Sequence, residues 1–170
     1  MATALSRAPL RIGLAIAAAT TVIDQAVKTS LLYGFGLTEH SRVAVAPFVD
    51  LVLTWNTGIS YGLFRQSGPV AQEMLVVFKL AAVALLMVWL ARTRSRLVGA
   101  SLGLIVGGAV GNLIDRALHG AVMDFVLLHF TTASFTFQWY VFNLADAGIV
   151  AGVAALIYES AFLQGAAKVP

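Results

Sequence analysis

Long apolar runs set the first limit on what this chain can become. Four segments, at about 10 to 32, 69 to 91, 97 to 117 and 141 to 163, approach or reach the roughly 20 residues needed to cross a hydrocarbon core. Hydrophobic residues make up 59% of the 170 and charged residues 11%, against roughly half and roughly a quarter in an ordinary soluble domain. The expectation is an α-helical membrane protein with four transmembrane helices, a single integral-membrane domain over 1–170 and no second domain. With no cysteine, disulfides, thiolate metal sites and a cysteine nucleophile are excluded. The net charge of +3 resides in short basic clusters at the ends of the apolar runs, which speaks for membrane topology and against nucleic-acid binding.

Those clusters also set an orientation. Arg7 and Arg11 precede the first run, Arg92, Arg94 and Arg96 fill the link between the second and third, and Lys168 follows the fourth. The other two loops, about 33–68 and 118–140, hold only Arg42 and Arg65. The positive-inside rule therefore puts both termini in the cytoplasm and these two loops on the periplasmic side. Arg7 and Arg11 ahead of "IGLAIAAATTVI" also fit a cleaved signal peptide, but three later spans and the polar residues from Asp24 onward favour a retained helix. Both outward loops carry strand periodicity, in "FVDLVLTWN" and in "SFTFQWY", and predict a small β element on the outer membrane surface. Trp55, Tyr61, Trp139 and Tyr140 would be its share of the interfacial aromatic belt.

Ionisable groups inside a membrane need a partner or a function. Asp24 and Lys28 are four apart on one helical face, acid first, and a structural ion pair is favoured over a catalytic one. In the third run Gly99, Gly103, Gly107 and Gly111 form a small-residue ridge that continues to Asp115, beside a second ridge of Gly108, Asn112 and Arg116; both point into the bundle. "GGAVGN" within it is no phosphate loop, since the preceding strand and the following Lys-Ser/Thr are missing. Asp124 follows where the chain has just left the membrane, and Asn143 and Asp146 stand three apart on one face of the fourth helix, about a turn below the outer surface. One outward loop separates Asp124 from Asp146, so the two acids can meet, share a proton and activate a water toward an amide. Spacing alone slightly favours the alternative, in which Asp124 caps or hydrates a loop and Asp146 pairs with Arg116.

Other chemistries have less support. His40, His119 and His129 match no metal-ligand spacing and read as solvated loop residues, so neither metal nor cofactor is expected. Ser30 beside Lys28 has the wrong helical relation for a nucleophile and its base. Lys79, near the middle of the second helix, has no evident local partner.

Five motifs in chain order resemble the bacterial lipoprotein signal peptidase (signal peptidase II) family over nearly the whole chain. They are "DQAVK" at 24–28, "NTGISYG" at 56–62, "GGAVGNLIDR" at 107–116, "VMDF" at 122–125 and "FNLADAGI" at 142–149. The resemblance implies an aspartic endopeptidase of the bacterial inner membrane with its active site toward the periplasm, cutting the signal peptide from prolipoproteins before a diacylglyceryl-modified cysteine. It implies Asp124 and Asp146 as the catalytic dyad. Asn56, Gly58, Gly108, Asn112, Arg116, Asn143 and Ala145 match positions that bind substrate or position the dyad. Asp24, Gln25, Lys28 and Asp115 match positions of structural support. Implied partners are diacylglyceryl prolipoproteins and membrane lipid, with the chain acting as a monomer. Ser60 and Tyr61 replace the family's usual Ala and Phe, which bears on substrate preference or inhibitor contact. The competing class is a small ion- or proton-coupled membrane transporter or accessory subunit; broken helices or repeated halves would mark a carrier, and neither is apparent.

Overall fold

A computed structural model of the chain describes residues 7–58 and 69–163, and the side chains of 69–75 and 163 are not part of that description. Ser60 and Tyr61 lie outside the described residues. In chain order the elements are α1 (Ala8–Thr29), β1 (Arg42–Ala46), β2 (Val49–Asn56), α2 (Pro69–Arg92), α3 (Arg96–His119), β3 (Val122–Thr131), β4 (Thr136–Gln138) and α4 (Leu144–Tyr158). Wider π turns extend α1 through Ser30–Gly34 and α4 through Glu159–Leu163. Among the described residues three helices are long and apolar enough to cross a membrane: Ala8–Gly34, Arg96–His119 and Leu144–Phe162. α2 adds a further long helix of 24 residues.

α3 is the centre of the bundle. It starts at Ser95, whose hydroxyl accepts from the Val98 N–H at 3.2 Å, and stops at Gly120, whose φ of 72° lets its N–H close on Arg116 O. One glycine stripe of α3 lies against the backbone of α1: a methyl added at Gly107 would sit 2.5 Å from Ala17 O, and one at Gly99 2.6 Å from Pro9 O. The neighbouring stripe meets α4, where a Cβ on Gly108 would collide with Ala145 O. Lipid tails are as apolar as leucine, so such close backbone contact and its dispersion energy, rather than hydrophobic exclusion, hold the helices together. Thr21 adds a bond from its hydroxyl to Gly107 O at 2.9 Å. At the far end Leu90 of α2 packs with Val98 and Leu102 of α3, joined by Leu10, Leu86, Met87 and Leu156.

The sheet is antiparallel throughout, in the order β1-β2-β3-β4. β2 and β4 fall where alternation predicts strands; β1 and β3 are additions. β3 runs through a stretch expected as loop because its opening residues, Val122 to Phe125, are all buried. A strand covered on both sides reads as a continuous apolar run and shows no alternation. Met123 and Phe125 pack with Leu37 and Leu53 onto Val27, Leu31 and Leu32, which seats the sheet on the end of α1. The two-residue period of a strand then turns Asp124 to the opposite face. Beside it, Phe142 pairs with Val126 through backbone bonds of 3.1 and 2.8 Å, pinning the entry to α4 against β3.

Two expectations need correction here. α4 starts at Leu144, with Asn143 in extended conformation just ahead of it, rather than at 141. The histidines are not all solvated loop residues: His119 closes α3 and packs its ring against Trp55 at 5.1 Å, and His129, on β3, brings Nε2 to 3.1 Å from Asp50 Oδ1. Asp50 is buried in the sheet, and the Arg42 guanidinium beside it holds its carboxyl below the usual range against the opposing effect of burial.

Candidate active site

Asp124 lies on β3 with 2% of its surface exposed. Its carboxylate accepts from Asn143 Nδ2 at 2.6 Å and from Asn56 Nδ2, at the end of β2, at 3.1 Å. Asn143 is the residue on which the arrangement turns. As N-cap of α4 its Oδ1 accepts from the Asp146 N–H at 2.9 Å, while Asp146 Oδ2 reaches back to the Asn143 N–H at 3.4 Å, a reciprocal capping box. The two hydrogens on its Nδ2 are shared among Asp124, Asn112 Oδ1 at 3.1 Å and Met123 O at 3.2 Å. Asn112, on α3, completes the link by donating from Nδ2 to Asp146 Oδ1 at 2.8 Å. Two carboxylates from different elements are thus each held by a side-chain amide, Asp146 by Asn112 and Asp124 by Asn143, and the two amides are bonded to each other.

A further layer of charge lies behind the amides. Lys28 bridges Asp24 and Asp115, each at 2.7 Å, and reaches Asn112 Oδ1 at 3.4 Å. Gln25 donates to Asp115 Oδ1 at 2.7 Å and to Gly111 O at 3.1 Å. Asp115 accepts from the Met123 N–H, and Asp24 from the Ala145 N–H at 2.9 Å, satisfying a donor that the first turn of α4 leaves open. Asp24, Lys28 and Asp115 are buried, and burial of charge is tolerable only where every member is paired and hydrogen-bonded. Arg116 latches the end of β2: Nη2 donates to Gly58 O at 2.9 Å and Nη1 to Asn112 O at 3.2 Å, while the Gly58 N–H donates to Asn56 Oδ1. Arg116 does not pair with Asp146, and Asp124 is no loop cap, so the alternative drawn from spacing is not the arrangement adopted.

Burial, and next the charge of Asp146, push the Asp124 carboxyl up to about 6, against the donation from Asn56 and Asn143 and the field of Lys28. Asp124, Asp146 and Asn56 line an apolar groove of about 580 Å³ that runs along α4 past Phe142, Ile149 and Val150. A wetter hollow of about 960 Å³ over the sheet also opens on Asn56, Gly58 and Asp124. Paired acids at such a junction can divide the roles of base and acid on a polar bond carried in by an apolar segment.

The family model described as Signal peptidase (SPase) II matches residues 16–162. The lipoprotein signal peptidase of Nitrobacter hamburgensis is 53% identical over 162 residues, covering 95% of this chain and 99% of that one. That of Rhodopseudomonas palustris is 50% identical over the same length and shares. The chain belongs to the signal peptidase II family. It is therefore a peptidase and a multi-pass membrane protein, and the transporter or accessory-subunit alternative is not favoured. A bacterial membrane enzyme solved by the in meso method at 2.3 Å shares the fold, with a TM-score of 0.75 at 22% identity over 92% of this chain and 91% of that one.

Among the positions matched to signal peptidase II motifs, Asn56, Gly58, Asn112, Arg116, Asp124, Asn143 and Asp146 converge on one place. Gly108 and Ala145 do not line the groove. They press on each other, with Ala145 fully buried, and set the distance between α3 and α4. Asp24, Gln25, Lys28 and Asp115 form the charged layer just described. Sequence reasoning missed Met123, whose backbone N–H serves Asp115 and whose carbonyl serves Asn143. No side-chain pattern could have revealed it, because the contacts are made by the main chain. Among the described residues no three His, Asp or Glu side chains are grouped to hold a metal ion.

Proposed function

We propose that this chain removes the signal peptide from diacylglyceryl-modified lipoprotein precursors, cleaving before the lipidated cysteine, with Asp124 and Asp146 as the reacting pair. The observation that carries the reading is two acids held by a linked pair of amides where an apolar groove meets a polar hollow. The signal segment lies in the groove along α4 with its lipid in the bilayer. One carboxylate takes a proton from water as the water oxygen bonds to the scissile carbonyl carbon, and the other, protonated, donates to the carbonyl oxygen. The C–N bond then breaks, the leaving nitrogen takes a proton, and the products are a new carboxyl on the signal peptide and a free amino group on the cysteine. Asn112 and Asn143 hold the acids in place, and Arg116 fixes the Asn56–Gly58 segment beside them.

In the same reading α1 to α4 are all membrane crossings, both termini face the cytoplasm and the sheet lies at the periplasmic surface. The chain works as a monomer. Cleavage of a diacylglyceryl prolipoprotein by purified Asp124→Asn and Asp146→Asn tests the assignment. Each is expected to lose roughly 10²–10⁴-fold in kcat, the usual weight of a general acid or base. Near-normal turnover by either variant, in folded form, would sink the pair.

A further inference from the structure

Lys79 has no place in the site as described above. Along α2, Lys79, Val83, Leu86 and Leu90 are partly or fully covered while Phe78, Leu85 and Trp89 are exposed, so Lys79 stands on the face that meets α3. From Leu90, which packs against Leu102, Lys79 lies about 16 Å back along α2, and Asn112 lies about 15 Å on along α3, at 1.5 Å per residue. The two helices are joined by the short link at Thr93–Ser95, so they run antiparallel and these positions are level. A helical side chain leans toward its own N-terminus, which here carries the ammonium toward the end of α3 that bears Arg116.

The charged groups within electrostatic reach of that ammonium are Arg116 from α3, Asp146 from α4 and Asp124 from β3. α1 contributes Asp24 and Lys28, which bond to each other, Lys28 also to Asp115, and the field of Lys28 reaches Asp124 as well. Arg116 is engaged with two carbonyls. Lys79 alone of these cations has no hydrogen bond or ion pair among the described residues. An ammonium this far inside an apolar helix is expensive enough to need a partner.

We propose that Lys79 is a positioning residue of the proteolytic pair, its field keeping one of the two carboxylates ionised when substrate fills the groove and expels water. Desolvation alone would drive both acids toward the neutral form and leave no base. A cation within electrostatic reach of them opposes that, and its influence grows as water leaves. This inference rests on Asp124 and Asp146 being the reacting pair.

The test is kcat against pH, at saturating diacylglyceryl prolipoprotein, for purified full-length Lys79→Met and Lys79→Arg, because kcat reports the substrate-bound site, with thermal unfolding as the check on folding. Lys79→Met is expected to move both limbs of the profile upward by about 0.5–1 pH unit; Lys79→Arg is expected to keep them near the parent. A purely structural lysine would lower the unfolding midpoint and leave the limbs in place. Folded Lys79→Met with unmoved limbs overturns the proposal, and Lys79→Gln stands in should the methionine variant fail to fold. If Asp124→Asn is inactive and the Lys79→Met profile is unmoved, only the role of Lys79 falls. An active Asp124→Asn overturns both.

Discussion

At the scale of single residues, the behaviour of Asp124 follows from its surroundings. Its carboxyl is raised to about 6 in the fold against 3.8 for an isolated side chain, so ionisation opposes folding: this contribution favours the fold below about pH 4 and is lost as pH rises through about 6. The same proton is needed by the acid member of the pair. The expected outcome is a kcat/KM that declines as pH rises through about 6, with the kcat limb displaced to higher pH because bound substrate removes water. An alkaline limb first appearing above pH 8 in kcat/KM would contradict the assignment. Asn143 illustrates what the sequence held and how it was misread. An Asn followed three residues later by an acid, just ahead of an apolar run, is a helix-start signature. Read as a point inside the fourth helix, Asn143 is a neighbour of Asp146 on one face, and only the family resemblance gives it a part in binding substrate or positioning the dyad. As a cap it is the connector between the acids, because its extended backbone leaves the side-chain amide free to reach β3.

Among the elements, α3 carries the tightest constraint. Replacing Gly107 by Leu would force side-chain atoms into Ala17 O and the Thr20 side chain, both within 3 Å of the new Cβ. Overpacking of this kind costs roughly 3 kcal/mol, and here it would also part Gln25 and Lys28 from Asp115. Thermal unfolding in detergent should show a large drop in midpoint together with lost cleavage; an unchanged midpoint would mean that α1 and α3 are not in backbone contact. The helices and their small-residue ridge were legible, since periodicity and glycine spacing act within one element. β3 was not. Its first residues are covered on both faces, so burial erased the alternation that identifies a strand, and Asp124 was assigned to a loop when it stands on a rigid ladder.

For the whole molecule, the lack of native cysteine makes orientation easy to probe. Thr136 on β4 and Arg94 between α2 and α3 are both exposed, at opposite ends of the bundle. In spheroplasts, Thr136→Cys should react with a membrane-impermeant maleimide and Arg94→Cys only after the membrane is opened. The reverse pattern would invert the proposed topology. Which residues meet across the bundle lay beyond the sequence, because that depends on how closely three helices approach, and a hydropathy plot has no term for distance.

The bond from the Ala145 N–H to Asp24 spans 121 positions of sequence. It makes the order of synthesis matter. A ribosome delivers Asp24, Gln25 and Lys28 early and Asp146 late, so a nascent chain that has inserted only its first three helices owns the charged layer but not the second acid. In the proposed pair, hydrolytic competence therefore arrives only as the last helix docks against Asp24.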